Sequence, residues 1–222
     1  MDLGNHTYSH FDLHRTPREE IERDTVRGEE VTRALLAGRG KTLRYFRHPF
    51  LHTGRSLETR RAFDAFLAAR GYTVAPVTHD NGEWIFAGAY AKAGNRGDTP
   101  AQRRIVDAYV AYMDAKFDYF ERESRVLFSR EIPQVLLIHA NSLNADSFGE
   151  LAAMMGRRGY AFVTLGEAIE DPAYRSPDTF TGAGGISWLH RWALTRGGKD
   201  LVVPGEPAVP GFVLELAGVD GE

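Results

Sequence analysis

An α/β fold built on parallel strands is predicted for this chain by three observations. Helix-like and strand-like segments alternate along most of its length, which is the rhythm of βα units. Gln134-Val135-Leu136-Leu137-Ile138-His139 is an apolar run closed by a histidine, the pattern of a strand buried on both faces. Chemically capable side chains, Arg47, Asp80 and His139, recur at or just past the ends of predicted strands, where parallel sheets carry their sites.

The elements follow in order. Thr16-Pro17-Arg18-Glu19 reads as a helix start, with Thr16 as cap, Pro17 in the first helical position and Glu19 completing a capping box. Ile21, Val26, Val31, Leu35 and Leu36 give that helix a mixed apolar face, and Gly38 and Gly40 end it. Thr42 to Phe46 is a short β-like run that stops at Arg47-His48-Pro49-Phe50. A second helix opens at Ser56, carries Phe63, Phe66 and Leu67, and closes at Gly71. Tyr72 to Thr78 reads as a strand, followed by a loop over Asp80-Asn81-Gly82-Glu83-Trp84. A long helix runs from Asp98 to about Phe120 on the period of Ile105, Tyr109, Tyr112, Met113, Phe117 and Phe120. A helix from Asn144 to Arg157, a strand from Tyr160 to Leu165 and a short helix from Gly166 to Glu170 complete the pattern. Trp188, His190 and Trp192 stand out near the end without an evident role. One domain is expected over residues 1–196, with a Gly/Pro-rich tail of loop or weak strand over 197–222.

The totals narrow the function. At 222 residues, 43% hydrophobic and 26% charged, the chain can bury a sizeable core. A net charge of −3 argues against a nucleic-acid binder, which carries a strongly basic face. The absence of cysteine removes disulfides, thiolate metal sites and a cysteine nucleophile. No apolar run approaches the roughly 18 residues of a membrane span, and no signal peptide precedes the first motif.

That first motif is His6-Thr7-Tyr8-Ser9-His10. Two imidazoles four residues apart face the same way if the segment coils through a helical turn. Imidazole is a common zinc ligand, and a third protein ligand would leave a position open for an activated water. His14 continues the spacing but falls in the connection to the next helix; His48, His52, His79 and His190 read as structural or exposed.

Together these residues resemble the polysaccharide deacetylase superfamily, the NodB-homology fold, over Leu3 to about Asp171. His6 to His10 looks like its His-Ser/Thr-x-x-His metal motif, and Arg47-His48-Pro49-Phe50 like its Arg-x-Pro-Tyr/Phe motif. Asp80 to Trp84 looks like Asp-x-x-Asp-Trp with Glu83 in place of the second aspartate, and Leu136 to His139 like the strand that carries the family's catalytic histidine. The resemblance implies a distorted (β/α) barrel of seven or eight strands. It also implies metal-dependent hydrolysis of acetyl groups on a polysaccharide or related amide. His6 and His10 would bind a divalent metal, zinc by preference. Arg47 would hold the catalytic carboxylate, the Phe50 N–H would face the oxyanion, and Asp80 would raise the basicity of His139, the general acid. Trp84 would wall the sugar groove, and an acetylated carbohydrate would be the partner. The family is often exported.

One departure stands against this. The family's Asp-Asp motif, source of the general base and the third metal ligand, has no counterpart among Phe11-Asp12, Phe63-Asp64 or Phe117-Asp118. The barrel is therefore expected to be incomplete at its N-terminus, with an open edge that invites self-association. A non-catalytic carbohydrate-binding pseudoenzyme is the rival expectation, and a partner chain that supplies the absent part is a third.

Overall fold

Alternation of periods 3.6 and 2 translates into helices joined to very short strands. The computed structural model describes residues 2–221. In chain order it contains β1 Gly4–Asn5, α1 Arg18–Ala37, β2 Tyr45–Phe46, α2 Leu57–Ala69, β3 Thr73–Val74, α3 Glu83–Asn95, α4 Thr99–Phe128, α5 Ser142–Arg157, α6 Leu165–Ile169, α7 Trp188–Gly197 and α8 Gly211–Ala217. The described fold is α/β and mostly helical, 57%, with one three-stranded parallel sheet. No helix among the described residues is long and apolar enough to cross a membrane. The chain divides into two compact units, Met1–Val77 with Ser176–Arg196, and Thr78–Arg175 with Gly197–Glu222.

In the first unit the sheet order is β1-β2-β3, with Gly4 opposite Tyr45 and Tyr45 opposite Thr73. Parallel neighbours need a crossover, and α1 and α2 supply them. Beneath the sheet Leu13, Ile21, Leu36, Phe46, Phe63, Leu67 and Tyr72 form one buried cluster. The expected face of α1 is only partly used: Ile21 and Leu36 are buried, whereas Val26, Val31 and Leu35 are exposed. The expected capping box does not form. Pro17 is the N-cap, without a side-chain cap, because Thr16 is already turned back onto the Asp12 carbonyl at 2.8 Å. Ser56 does cap α2, accepting from the Thr59 N–H at 3.1 Å. Trp188 and Trp192 find their role in α7, where they are buried with Leu189 and Ala193.

In the second unit α3 packs against α4, α5 and α8. Sequence reading placed only a loop at the start of α3, because its Phe-Ala-Gly-Ala-Tyr-Ala stretch has apolar residues on every side and so no one-sided stripe. Helix α4 continues eight residues past Phe120, to Phe128. The segment read as an irregular tail contains α8, whose Val213 and Ala217 enter the core with Ile85, Phe86, Tyr109 and Leu151. The two later strands expected from the sequence are not formed as such. Residues 134–139 keep a single parallel bridge, His79 to Leu136. Residues 160–164 run without regular structure, and Phe162 is 70% exposed. Apolar composition gives a segment the tendency to extend, but a strand exists only where a neighbour accepts its ladder bonds.

One ion-pair hub ties α1 to the end of α2. Glu29 is buried and receives Arg70 Nε and Nη2, each at 2.7 Å, and Arg33 Nε at 2.9 Å. Burial alone would raise this carboxyl; the hydrogen bonds from Arg70 and Arg33 reverse that and bring it down from 4.5 to about 2. A carboxyl depressed in the folded state stabilises above its unfolded pKa and loses that stabilisation as pH falls. Glu29→Gln is therefore expected to lower stability by about 1–3 kcal/mol at neutral pH. The gap to the parent protein should narrow between pH 4.5 and about 2. Urea melts across that window check it; a gap that stays constant would contradict the assignment.

Candidate functional site

The chain leaves β1 directly into the two-histidine loop. Three groups shape that loop. Asn5 is buried and donates to the Thr25 carbonyl at 2.9 Å and to Tyr72 Oη at 2.8 Å, while its Oδ1 accepts the Thr7 N–H at 2.8 Å. Asp24 on α1 gathers the Tyr8 N–H at 3.0 Å, the Ser9 N–H at 2.7 Å and the Ser9 hydroxyl at 2.8 Å. Gly28 lets the loop lie on the helix, since a Cβ there would stand 2.9 Å from the Thr7 carbonyl carbon. The loop is not the helical turn that the spacing suggests: Thr7 and His10 have φ of 63° and 57°. The rings still meet, with centroids 4.7 Å apart. His6 Nδ1 lies 2.7 Å from the Arg47 carbonyl oxygen. A carbonyl can only accept, so Nδ1 carries the proton and Nε2 the lone pair, the tautomer a metal ligand needs.

The Arg47 segment lies beside it in the same unit. Burial lowers the pKa of the Arg47 guanidinium, and among the described residues no carboxylate pairs with it. Phe50 is exposed, and its ring stands against His10 at 4.6 Å. Phe50 and Leu51 both have positive φ, 56° and 55°. Among the described residues, four of the five non-glycine residues of positive φ thus lie in the His6–His10 and Pro49–Leu51 segments. The carbonyl of Phe50 packs where a Gly185 Cβ would be, 1.7 Å away, so only glycine fits there. His48 is buried to the point that its pKa falls to about 3, and it stays neutral.

A second cluster in the first unit was not foreseen as a set. Asp12, His14 and His52 present ligand atoms within 4.8 Å of one another and can hold a metal ion. His52 Nδ1 sits 2.7 Å from Asp12 Oδ1, and the His14 ring stacks on His52 at 3.8 Å. Burial works to raise the Asp12 carboxyl, and the His14 N–H and the His52 ring outweigh it, leaving the pKa below its ordinary value. Burial and the neighbouring His52 lower the pKa of His14. Sequence reading placed His14 in a connection and His52 among structural histidines; they stand 38 positions apart, so no local spacing could pair them.

The remaining predicted residues belong to the second unit. Asp80 and Asn81 turn the chain into α3, with Asp80 Oδ1 accepting the Asn81 N–H at 2.9 Å. Trp84 projects from the first turn of α3 and is exposed. The carboxylate on His139 is that of Glu83, not of Asp80 as the sequence suggested. Glu83 is 1% exposed and reaches His139 Nδ1 at 2.6 Å. It also accepts from Asn144 Nδ2 at 2.8 Å and from Asn141 Nδ2. The residue that stands in the motif's second acidic position is therefore enclosed. The reason is positional: α3 begins at Glu83, so its side chain leaves the first turn inward while Trp84 points outward. The His139 side chain remains 44% exposed, held by one nitrogen and open along the other edge. Such a dyad can fix an imidazole tautomer and stabilise the imidazolium during proton transfer.

Comparison of the chain with family models, with curated proteins and with solved structures finds no match.

The packing of the histidine loop is testable. Gly28→Ala would stabilise an ordinary helix by about 1 kcal/mol. Here it is expected to lower the melting temperature and to shift the His6 and His10 imidazole resonances. A melting temperature that rises, with those resonances unmoved, would show that the loop does not depend on this contact.

Proposed function

We propose that the protein is a metal-dependent hydrolase that removes acetyl groups from an N-acetylated carbohydrate or related amide, on a distorted barrel of the deacetylase type. The observation that carries this reading is the Glu83–His139 pair, a buried carboxylate bound at 2.6 Å to an imidazole whose other edge remains accessible.

The donor set fits a divalent cation such as zinc, since His6 is held in the tautomer with Nε2 unprotonated and the His10 ring lies beside it. Such a cation would supply Lewis-acid polarisation of the acetyl carbonyl and a bound water of lowered pKa. The protein's own groups do the rest. His139 donates a proton to the departing amine nitrogen, because acetyl transfer to water breaks a carbon–nitrogen bond whose amine leaves poorly unless protonated. Glu83 holds the ring and balances the charge it carries before that transfer. The Phe50 N–H serves the oxyanion, and the partly buried Arg47 guanidinium favours negative charge nearby. Trp84 offers a flat apolar face to a sugar ring.

A specific observation favours the rival reading. Arg47 has no carboxylate partner among the described residues, and no carboxylate is assigned as general base. A carbohydrate-binding protein that keeps the aromatic surface and lacks turnover would look the same at these positions.

Acetate release from N-acetylglucosamine oligomers in the presence of zinc separates the two. Turnover is expected, abolished by chelation and restored by zinc. His139→Ala should lower kcat by roughly 10²–10⁴-fold with little change in KM. Glu83→Gln, which keeps the shape, should lower kcat as well and should alter the pH profile. Oligomer binding that Trp84→Ala weakens, without acetate release at any zinc concentration, would replace the hydrolase with the binding protein.

A further inference from the structure

We infer that Asp12, His14 and His52 form a divalent transition-metal site distinct from the His6–His10 pair. Three independent features of the first unit support it. The ligand atoms are already gathered within 4.8 Å, by residues from two separate loops. Asp12 Oδ1 accepts the His14 backbone N–H at 2.8 Å and meets His52 Nδ1 at 2.7 Å, which fixes the carboxylate relative to both rings. A carboxylate only accepts, so His52 Nδ1 bears the proton in this contact; an ion that takes Asp12 and His52 together would bind at Nδ1, the proton moving to Nε2. The third feature is His14 itself. Both of its ring nitrogens are buried without a hydrogen bond of normal geometry. The Ala183 backbone offers the ring no more than a weak interaction. A buried ring nitrogen short of a partner is destabilising, and an ion or ordered water is the usual remedy.

The donor set selects the class of ion. Two imidazoles and one carboxylate suit zinc, cobalt or iron(II), with further positions left to water or an exogenous ligand. Calcium and magnesium demand more oxygen ligands than this cluster provides. Two arginines stand near the cluster: Arg15, whose Nε is 3.5 Å from Asp12 Oδ2 and whose side chain is exposed, and Arg55, whose charge acts on His14. The stacked arrangement also has a consequence. The His14 and His52 planes differ by 8°. An ion lies near the plane of each imidazole that binds it, and two nearly parallel planes 3.8 Å apart share no such point. Ion entry therefore breaks the stack by turning one ring about its Cβ–Cγ bond.

Cobalt titration of the metal-stripped full chain, followed by visible absorption and calorimetry, tests the assignment. The parent protein and the His6→Ala/His10→Ala variant should both bind cobalt at this cluster. Asp12→Asn/His14→Gln/His52→Gln should lose that event, with affinity falling by at least roughly 100-fold. Equal stoichiometry and affinity in the triple variant would overturn the site, as would a His6/His10 variant that binds no cobalt. If the triple variant fails to fold, the anomalous signal from a zinc-soaked crystal of the parent protein decides. A peak within bonding distance of the three side chains, with the stack opened, supports the site, and its absence there sinks it. The result is separable from the hydrolase proposal, since cobalt bound here without acetate release would end only the latter.

Discussion

A carboxylate sealed from water must be met by donors or give up its charge, and Glu83 is the place where this constraint organises the second unit. Three side chains converge on it, His139, Asn141 and Asn144, all from the stretch that leads into α5. Asn141 also caps α5 through the Asn144 N–H at 3.0 Å, and Asn144 bonds Tyr109 Oη on α4 at 3.0 Å. The start of α3, the start of α5 and the middle of α4 are thus tied through one negative group. Removing the charge leaves several donors stranded at once, which is why networks of this kind specify one arrangement so strongly. His139 inherits its orientation from that network and contributes only one nitrogen to it.

The first unit solves a different problem, that of holding a short loop in a conformation its residues do not favour. Positive φ at Thr7, His10, Phe50 and Leu51 costs of order 1 kcal/mol or more per residue. Asp24 offsets part of this by accepting three donors from Tyr8 and Ser9. Gly28 and Gly185 allow the backbone approaches that would otherwise be blocked by a Cβ. The strained segments bear His6, His10 and Phe50, while the groups that hold them, Asp24 among them, lie outside every motif the sequence displays.

That division explains what was legible. The α/β class, most helix positions and the crossovers of the first unit follow from periodicity, since hydrophobic spacing reports directly on which face is buried. The pairing of His6 with His10 was expected from a helical turn; the rings do meet, but through a loop of positive φ held by Asn5 and Asp24. Glu83 was visible as a motif position, but its burial and its hold on His139 were not, because sequence cannot tell whether a side chain in a first helical turn points in or out. Helix α3 was missed for want of an amphipathic stripe. Residues 134–139 and 160–165 were read as strands from composition, whereas pairing is a property of two segments and not of one. His14 and His52 could not have been joined, as their meeting depends on how two loops fold back.

The two imidazole sets of the first unit also differ in a way that bears on metal affinity. In the His6–His10 set the fixing partner of His6 is a backbone carbonyl, neutral and unable to move far. In the other set the fixing partner of His52 is a carboxylate, whose negative charge raises the basicity of the ring it holds and attracts a cation in its own right. A carboxylate with two imidazoles also neutralises part of a divalent charge inside a half-buried cluster. The Asp12 cluster thus brings its own counter-charge to a cation.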